Sequence, residues 1–236
     1  LLPHPTLTRV MQRSAWDSEE RRITRPGIVL PFDVKDVVSI MRQPVYPENK
    51  MKRKLRNGEI VNGIISNSVS PALIEIMGYS GFDYVVIDTE HSPVTLDERT
   101  MHLIRAAEIG GLTCLMRVAG NDPSRIHQAL DMGCQGIFAT HIESKEDAGM
   151  VVDSVKYPPM GHRSWGPGRH MGPHRYAVDR KTYVDYWNRE STVMFLIESK
   201  KGVERLEEIV AVPGIDVIGI GQGDLAVDLG APAGRF

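Results

Sequence analysis

A (β/α)8 TIM barrel is the fold class this sequence predicts, and three observations lead to it. Six short apolar runs, EIVNGIIS, DYVVID, LTCLMRV, QGIFATHI, TVMFLIE and DVIGIG, are rich in β-branched residues, as strands buried on both faces are. A segment with helix punctuation follows each run, so the connections read as right-handed βαβ units of a parallel sheet. Strand starts recur roughly every 23 to 29 residues apart from one interval about twice as long, and no GxGxxG follows the first strand, which favours a barrel over a dinucleotide-binding sheet.

The first fifty residues differ in character. Pro26, Pro31, Pro44 and Pro47 interrupt any long helix, so residues 1–50 read as an N-terminal extension, wrapped on the domain or a neighbour or left as an arm. Residues 51–236 read as the barrel domain. Ser70 and Pro71 open a helix that Gly78 is expected to end. The segment LDERTMHLIRAAEIGG spaces Met101, Ile104, Arg105 and Glu108 for a second, stopped at Gly110-Gly111. Asp122-Pro123 begins a third, through Ile126, Ala129 and Leu130 to Gly133, and Ser144 with Asp147 caps a fourth ahead of Val151, Val152 and Val155. The long interval YPPMGHRSWGPGRHMGPHRYAVDRKTYVDYWN reads as a loop serving as lid, binding wall or connector. Ser199 opens a last helix, GVERLEEIV, closed by Pro213-Gly214. Eight units need about 50 more residues than the chain holds. Part of the C-terminal quarter is therefore expected to be missing or supplied by another chain.

Lys and Arg number 28 against 30 Asp and Glu, with no basic stripe, so a small molecule is the expected partner and nucleic acid is not. Cys114 and Cys134 lie in apolar segments, which predicts buried free thiols and a reducing compartment. No apolar stretch approaches the roughly 20 residues of a membrane span, and LLPHPTLTRV lacks a signal's apolar core; a cytoplasmic location without membrane contact is the expectation.

Polar residues at the strand ends all fall on the carboxyl-terminal rim, where barrels do their chemistry: Asp88, Glu90 and His91, then Arg117, then His141 and Glu143, then Glu198, then Asp224. Glu198 and Asp224 end adjacent strands. Such a pair shares a proton or holds a hard divalent ion such as Mg2+, with water and substrate oxygens completing the shell; the alternative is an ion pair of Glu198 with Lys200 or Lys201. Gly219, Gly221 and Gly223 in GIGQGD let backbone N–H groups face an anion. Arg117 emerges from Cys114-Leu115-Met116 either to clamp a carboxylate or oxyanion or to pair with Asp88 or Glu90. His91 is an acid/base candidate oriented by Asp88, or a helix cap; His141 is a rim residue or a satisfied core histidine.

The order D-x-E-H-x-P from Asp88, Arg117, YPP-x-G-x-R from Tyr157, Glu198-Ser199 and G-x-x-D-L from Gly221 resembles the metal-dependent class II pyruvate aldolases of the 4-hydroxy-2-oxo-heptane-1,7-dioate aldolase family, over roughly residues 54–230. The resemblance implies a barrel of the phosphoenolpyruvate/pyruvate-binding type, assembled as a hexamer with its last helix exchanged between subunits. It implies Glu198 and Asp224 as Mg2+ ligands, Arg117 against the keto or enolate oxygen, and Asp88 with His91 as an acid/base pair working through water. The backbone of Gly221, Gln222, Gly223 and Asp224 would hold the pyruvate carboxylate. Two positions depart from the family pattern: Leu196, where Gln is common, and His141.

The whole chain, including the opening LLPHPTLTRVMQRS, looks most similar to one member of unusual activity, and the two departures leave room for a less polar second substrate. There, oxaloacetate loses CO2, and the resulting pyruvate enolate adds to a 2-pyrone to give a substituted benzoate with loss of CO2 and water. On that reading His141 and Tyr183 or Tyr186 contact the pyrone. The alternative is a retro-aldolase that cleaves 2-keto-3-deoxy (4-hydroxy-2-oxo) acids to pyruvate and an aldehyde. A third reading, a barrel that binds organic acids without turnover, sits poorly with so many ionisable groups on one rim.

Overall fold

All six apolar runs become strands of one parallel sheet in strict sequence order, because each β-branched run is returned by a helix to pair beside its predecessor. The computed structural model describes residues 48–166, 168–174 and 179–231. The expected extension therefore lies, up to residue 47, outside the described residues. The elements are α1 (Lys50–Arg56), β1 (Gly63–Ser66), α2 (Pro71–Tyr79), β2 (Tyr84–Asp88), α3 (Glu98–Ile109), β3 (Thr113–Arg117), α4 (Pro123–Met132), β4 (Gly136–Ala139), α5 (Lys145–Val155), α6 (Arg180–Glu190), β5 (Thr192–Ile197), α7 (Lys200–Glu204), α8 (Leu206–Val210), β6 (Val217–Ile220) and α9 (Gln222–Asp228).

Alternation along the strands sorts side chains between two cores. Val85, Ile87, Cys114, Met116, Ile137, Ala139, Val193, Phe195 and Ile197 pack under the helices in the larger one. Val86, Leu115 and Phe138, with Tyr84, Met194, Leu196 and Val217 around them, fill the concave side. Met51 of α1 plugs this inner core from the amino-terminal edge, where Asn49 caps α1 and donates to Glu190 O at 2.8 Å and Thr192 Oγ1 at 2.9 Å. The same parity turns Asp88, Arg117 and Glu198 to the concave side at the opposite edge. Both cysteines are buried free thiols, and burial pushes the Cys134 thiol up to about 12.

Four expectations need correction. The eight-stranded barrel is, among the described residues, a curled six-stranded half-barrel in which β1 and β6 are each paired on one side. Gly78 does not end α2, which runs on to Tyr79; its missing side chain lets the Gly110 backbone approach so closely that a Cβ would overlap it. The helix after Ser199 is two pieces, broken where Arg205 takes φ −108° and ψ 12°. Finally, the loop from 157 to 188 contains α6, capped by Asp179 accepting from Thr182 N at 3.1 Å.

Candidate active site at the carboxyl-terminal rim

Register brings the central pair together: Asp88 and Arg117 are Cα partners on β2 and β3. Arg117 Nε donates to Asp88 Oδ1 at 2.8 Å and Nη2 donates to Oδ2, a bidentate pair with Asp88 fully buried. Oδ1 also accepts the backbone N–H groups of Glu90 at 2.8 Å and His91 at 3.2 Å. Burial acts to raise the Asp88 pKa, but the Arg117 hydrogen bonds and the two N–H groups outweigh it, and the carboxyl is held below its ordinary value.

Glu198 lies one residue beyond β5, and 5% of it is exposed. Its Oε1 accepts the His141 N–H at 2.7 Å and lies 3.2 Å from His141 Nδ1. To make these contacts His141 takes φ +54°, rare for a residue with a side chain. Oε2 faces Gly221, where a Cβ would stand 2.8 Å from it and 2.6 Å from Glu198 Cβ. Only glycine leaves this carboxylate its place. Burial, and then the Asp224 and Glu90 carboxylates, push the Glu198 pKa up against the His141 N–H that lowers it. Asp224 is exposed in the first turn of α9. The alternative ion pair of Glu198 with Lys200 or Lys201 does not form: Lys201 pairs with Glu143 at 2.8 Å and Lys200 with Glu204 at 3.8 Å.

Glu90, expected on the rim as an alternative ion-pair partner of Arg117, stands at the middle. Thr140 Oγ1 donates to both its oxygens at 3.2 Å, Arg117 Nε lies 3.5 Å away, His141 Nε2 3.3 Å and His91 Nε2 3.8 Å. Its alternation with Asp88 in DTEH was the available signal. The pairing of His91 with Asp88 is corrected accordingly: Asp88 receives the His91 backbone N–H, while the imidazole faces Glu90, because Arg117 already occupies both Asp88 oxygens.

The structure gathers Asp88, Glu90, His91, Arg117, Thr140, His141, Glu198 and Gly221 on one rim, with Leu196 under Gly219 and Gly221 as an apolar floor. Tyr183 and Tyr186 are not there. Both are buried on the convex side in an aromatic group with Tyr157, Trp165, His170 and Trp187, beside Lys156, Asn188 and Ser191 at the amino-terminal edge. The i, i+3, i+4 spacing of Tyr183, Tyr186 and Trp187 packs α6 against the core. That spacing overrides the loop reading.

The donor set fits a hard divalent cation. Arg117 is the only lysine or arginine in salt-bridge reach of Asp88, Glu90, Glu198 and Asp224 among the described residues, so the rim carries surplus negative charge. Glu198 Oε2 is held in a glycine-made gap and has no hydrogen-bond partner among the described residues. Also among them, no group of three or more His, Cys, Asp and Glu side chains is arranged around one point. No helix among the described residues is long and apolar enough to cross a membrane.

Fold and rim together define a carboxylate-rich α/β half-barrel with chemistry at its strand ends. Residues 62–234 match the HpcH/HpaI aldolase/citrate lyase family, and the chain belongs to that family. It is 36% identical over 159 residues to a 2-dehydro-3,6-dideoxy-6-sulfogluconate aldolase of Pseudomonas putida, covering 67% of this chain and 61% of that protein, so it spans less than two thirds of that relative's length. An HpcH/HpaI aldolase from Desulfitobacterium hafniense superposes with a TM-score of 0.72 at 32% identity, over 78% of this chain and 70% of that one. Macrophomate synthase superposes with a TM-score of 0.67 over 85% of this chain and 73% of its own, but at 23% identity, below the aldolases just named. That likeness shows the fold alone.

Proposed function

We propose that the protein is a divalent-metal-dependent pyruvate aldolase that cleaves 4-hydroxy-2-oxo acids of the 2-keto-3-deoxy type to pyruvate and an aldehyde, and forms the same bond in reverse. The observation that carries this is the Glu198 carboxylate, buried, short of cations and held open by Gly221 beside Asp224. Glu198 and Asp224 would hold the ion, with Mg2+ the expected species. When bound, it supplies Lewis acidity toward the keto and carboxylate oxygens of a 2-oxo acid.

The chain's own groups do the rest. The backbone from Gly221 to Asp224 orients the substrate carboxylate. Arg117, fixed from behind by Asp88, has Nη1 without a hydrogen-bond partner among the described residues. It stabilises negative charge as it develops on the keto oxygen. The C4 hydroxyl proton passes to a base, the C3–C4 electrons become the pyruvate enolate, and C3 then takes up a proton. His91 and His141, both more than half exposed and both against Glu90, are the groups placed to move those protons.

The pyrone-adding activity is the second reading, and one observation favours it: His141 is at the rim. It loses its other support, because Tyr183 and Tyr186 lie in the convex core. The aldolase relative is the stronger guide to substrate class. Incubation of the full chain with oxaloacetate and with 4-hydroxy-2-oxopentanoate, with Mg2+ and then with EDTA, tests the reading. Metal-dependent pyruvate release from both is expected; no release from either with metal present would overturn it. A homo-oligomer, hexameric as the family resemblance implies, is part of the same proposal and is checked by light scattering.

A further inference from the structure

Glu90 meets more of the rim than any other side chain described above, yet it belongs to neither the metal pair nor the Asp88–Arg117 pair. Its side chain is 11% exposed, against 61% for His91 and 59% for His141. Two anchors explain this: its N–H donates to Asp88 Oδ1 at 2.8 Å, and Thr140 Oγ1 donates to its carboxylate at 3.2 Å. Thr140 is itself secured, since Asn121 Nδ2 donates to its carbonyl at 2.5 Å. A fixed carboxylate beside two exposed imidazoles is how proteins set ring orientation and tautomer.

His141 lies between Glu90 and Glu198, with Nε2 3.3 Å from Glu90 Oε1 and Nδ1 3.2 Å from Glu198 Oε1. Each ring nitrogen thus faces a carboxylate, and Nδ1 is the one on the Glu198 side of the rim. Its backbone is held in the left-handed region as well, a conformation that persists only where its surroundings over-determine it. Arg117 depends on Glu90 far less, because Asp88 takes Nε at 2.8 Å while Glu90 stands 3.5 Å off.

We propose that Glu90 is a positioning residue that holds His141 by Nε2 so that Nδ1 faces the aldehyde oxygen, and that it governs carbon–carbon bond cleavage more than enolate formation. This rests on the aldolase reading. In the step concerned, the proton leaving the C4 hydroxyl is accepted on the Nδ1 side of His141, the C3–C4 pair goes to the enolate, and the aldehyde departs; no further reactant is needed.

Two reactions of the Mg2+-loaded full chain separate the parts: exchange of the pyruvate methyl protons in D2O, which needs only the enolate, and cleavage of 4-hydroxy-2-oxopentanoate. Glu90→Gln is expected to lower the kcat of cleavage by about ten- to a hundredfold with little change in KM, and methyl exchange by less than about threefold. His141→Ala should lower cleavage at least as far, and the double variant should be no worse in cleavage than His141→Ala, since residues that act as one unit are not additive. Equal losses in both reactions, or multiplied losses in the double variant, would overturn the assignment. A wild-type chain that exchanges no methyl protons would instead sink the aldolase reading, before any variant is made, and this proposal with it. Thermal melts of each variant, matched to wild type, exclude misfolding as the cause.

Discussion

At the amino-terminal edge of the sheet, Asp83 meets Lys54 at 2.9 Å and Lys50 at 3.3 Å, Asp216 meets Lys52 at 2.9 Å, and Glu190 meets Arg189 at 2.9 Å and Arg56 at 3.1 Å. At the carboxyl-terminal edge, Arg117 is in salt-bridge reach of Asp88 and Glu90 alone, and Glu198 is pushed toward its protonated form instead of being drawn to its charged one. The residue types are alike and the treatment is opposite. Matched charges close the base of the half-barrel. Unmatched ones leave an electrostatic demand at the rim, which a cation and a substrate can meet.

The largest effect should come from removing that demand. Glu198→Gln is expected to lower metal-dependent pyruvate release by about a thousandfold or more, a barrier change of several kcal/mol. It should also make the metal-free protein more stable near neutral pH. A carboxyl whose folded pKa is raised binds its proton more tightly in the native state, so its stabilising contribution is present at low pH and is lost as pH rises through the carboxylate range. Melts of wild type and variant should converge on acidification and part on neutralisation; a wild type that stays the more stable of the two at neutral pH would erase the contrast.

Next in size, Asp88→Ala should cost about 3–5 kcal/mol in urea denaturation, because it leaves the buried Arg117 charge with only Glu90, 3.5 Å away, as its partner. The Asp88 pKa is lowered, so its contribution is present above the unfolded carboxylate value and fades as pH falls through the folded one. Asp83→Ala at the base should cost less, since Lys50 and Lys54 are 36% and 26% exposed and can turn to water.

Glycines sharpen the comparison further. Gly221→Ala puts a Cβ 2.6 Å from Glu198 Cβ, and should lower activity about tenfold while leaving the melting curve near wild type. Gly78→Ala, which drives a Cβ into the Gly110 backbone between α2 and α3, should do the reverse, costing about 1–3 kcal/mol with kcat retained.

The smallest effect concerns Lys156, whose Nζ donates to Ser191 O at 2.7 Å, Ser191 Oγ at 2.9 Å and Asn188 O at 3.0 Å. Burial first, and then Lys52, bring its pKa down from 10.5 to about 7. In that window the unfolded chain holds a proton that the folded chain has released, so wild-type stability should rise with pH there. Lys156→Met should flatten the rise. An unchanged slope would show that another group titrates.

Much of this was legible beforehand. The six strand runs, the caps at Ser70, Asp122, Ser144 and Ser199, and the rim positions of Asp88, Arg117, Glu198 and Asp224 follow from period-two burial and short-range hydrogen bonding, which neighbouring residues decide. α6 was missed because Gly and Pro dominate the interval around it, although Asp179 and the aromatic spacing of Tyr183, Tyr186 and Trp187 mark it. Arg205 breaks the helix after Ser199 with no residue in GVERLEEIV to announce it, and we have no physical account of that break.

Residue order alone determined which face of each strand is apolar, and therefore that the acidic and basic groups emerge together past the strand ends. Only the tertiary structure decided who meets whom. Arg117 chose Asp88 over Glu90 because register sets Asp88 directly beside it, His91 was left to Glu90, and Tyr183 and Tyr186 went to the convex core. Alternation is a property of one strand, whereas pairing depends on distances between strands, and the difference between 2.8 Å from Arg117 Nε to Asp88 and 3.5 Å to Glu90 is set by packing that no single segment encodes.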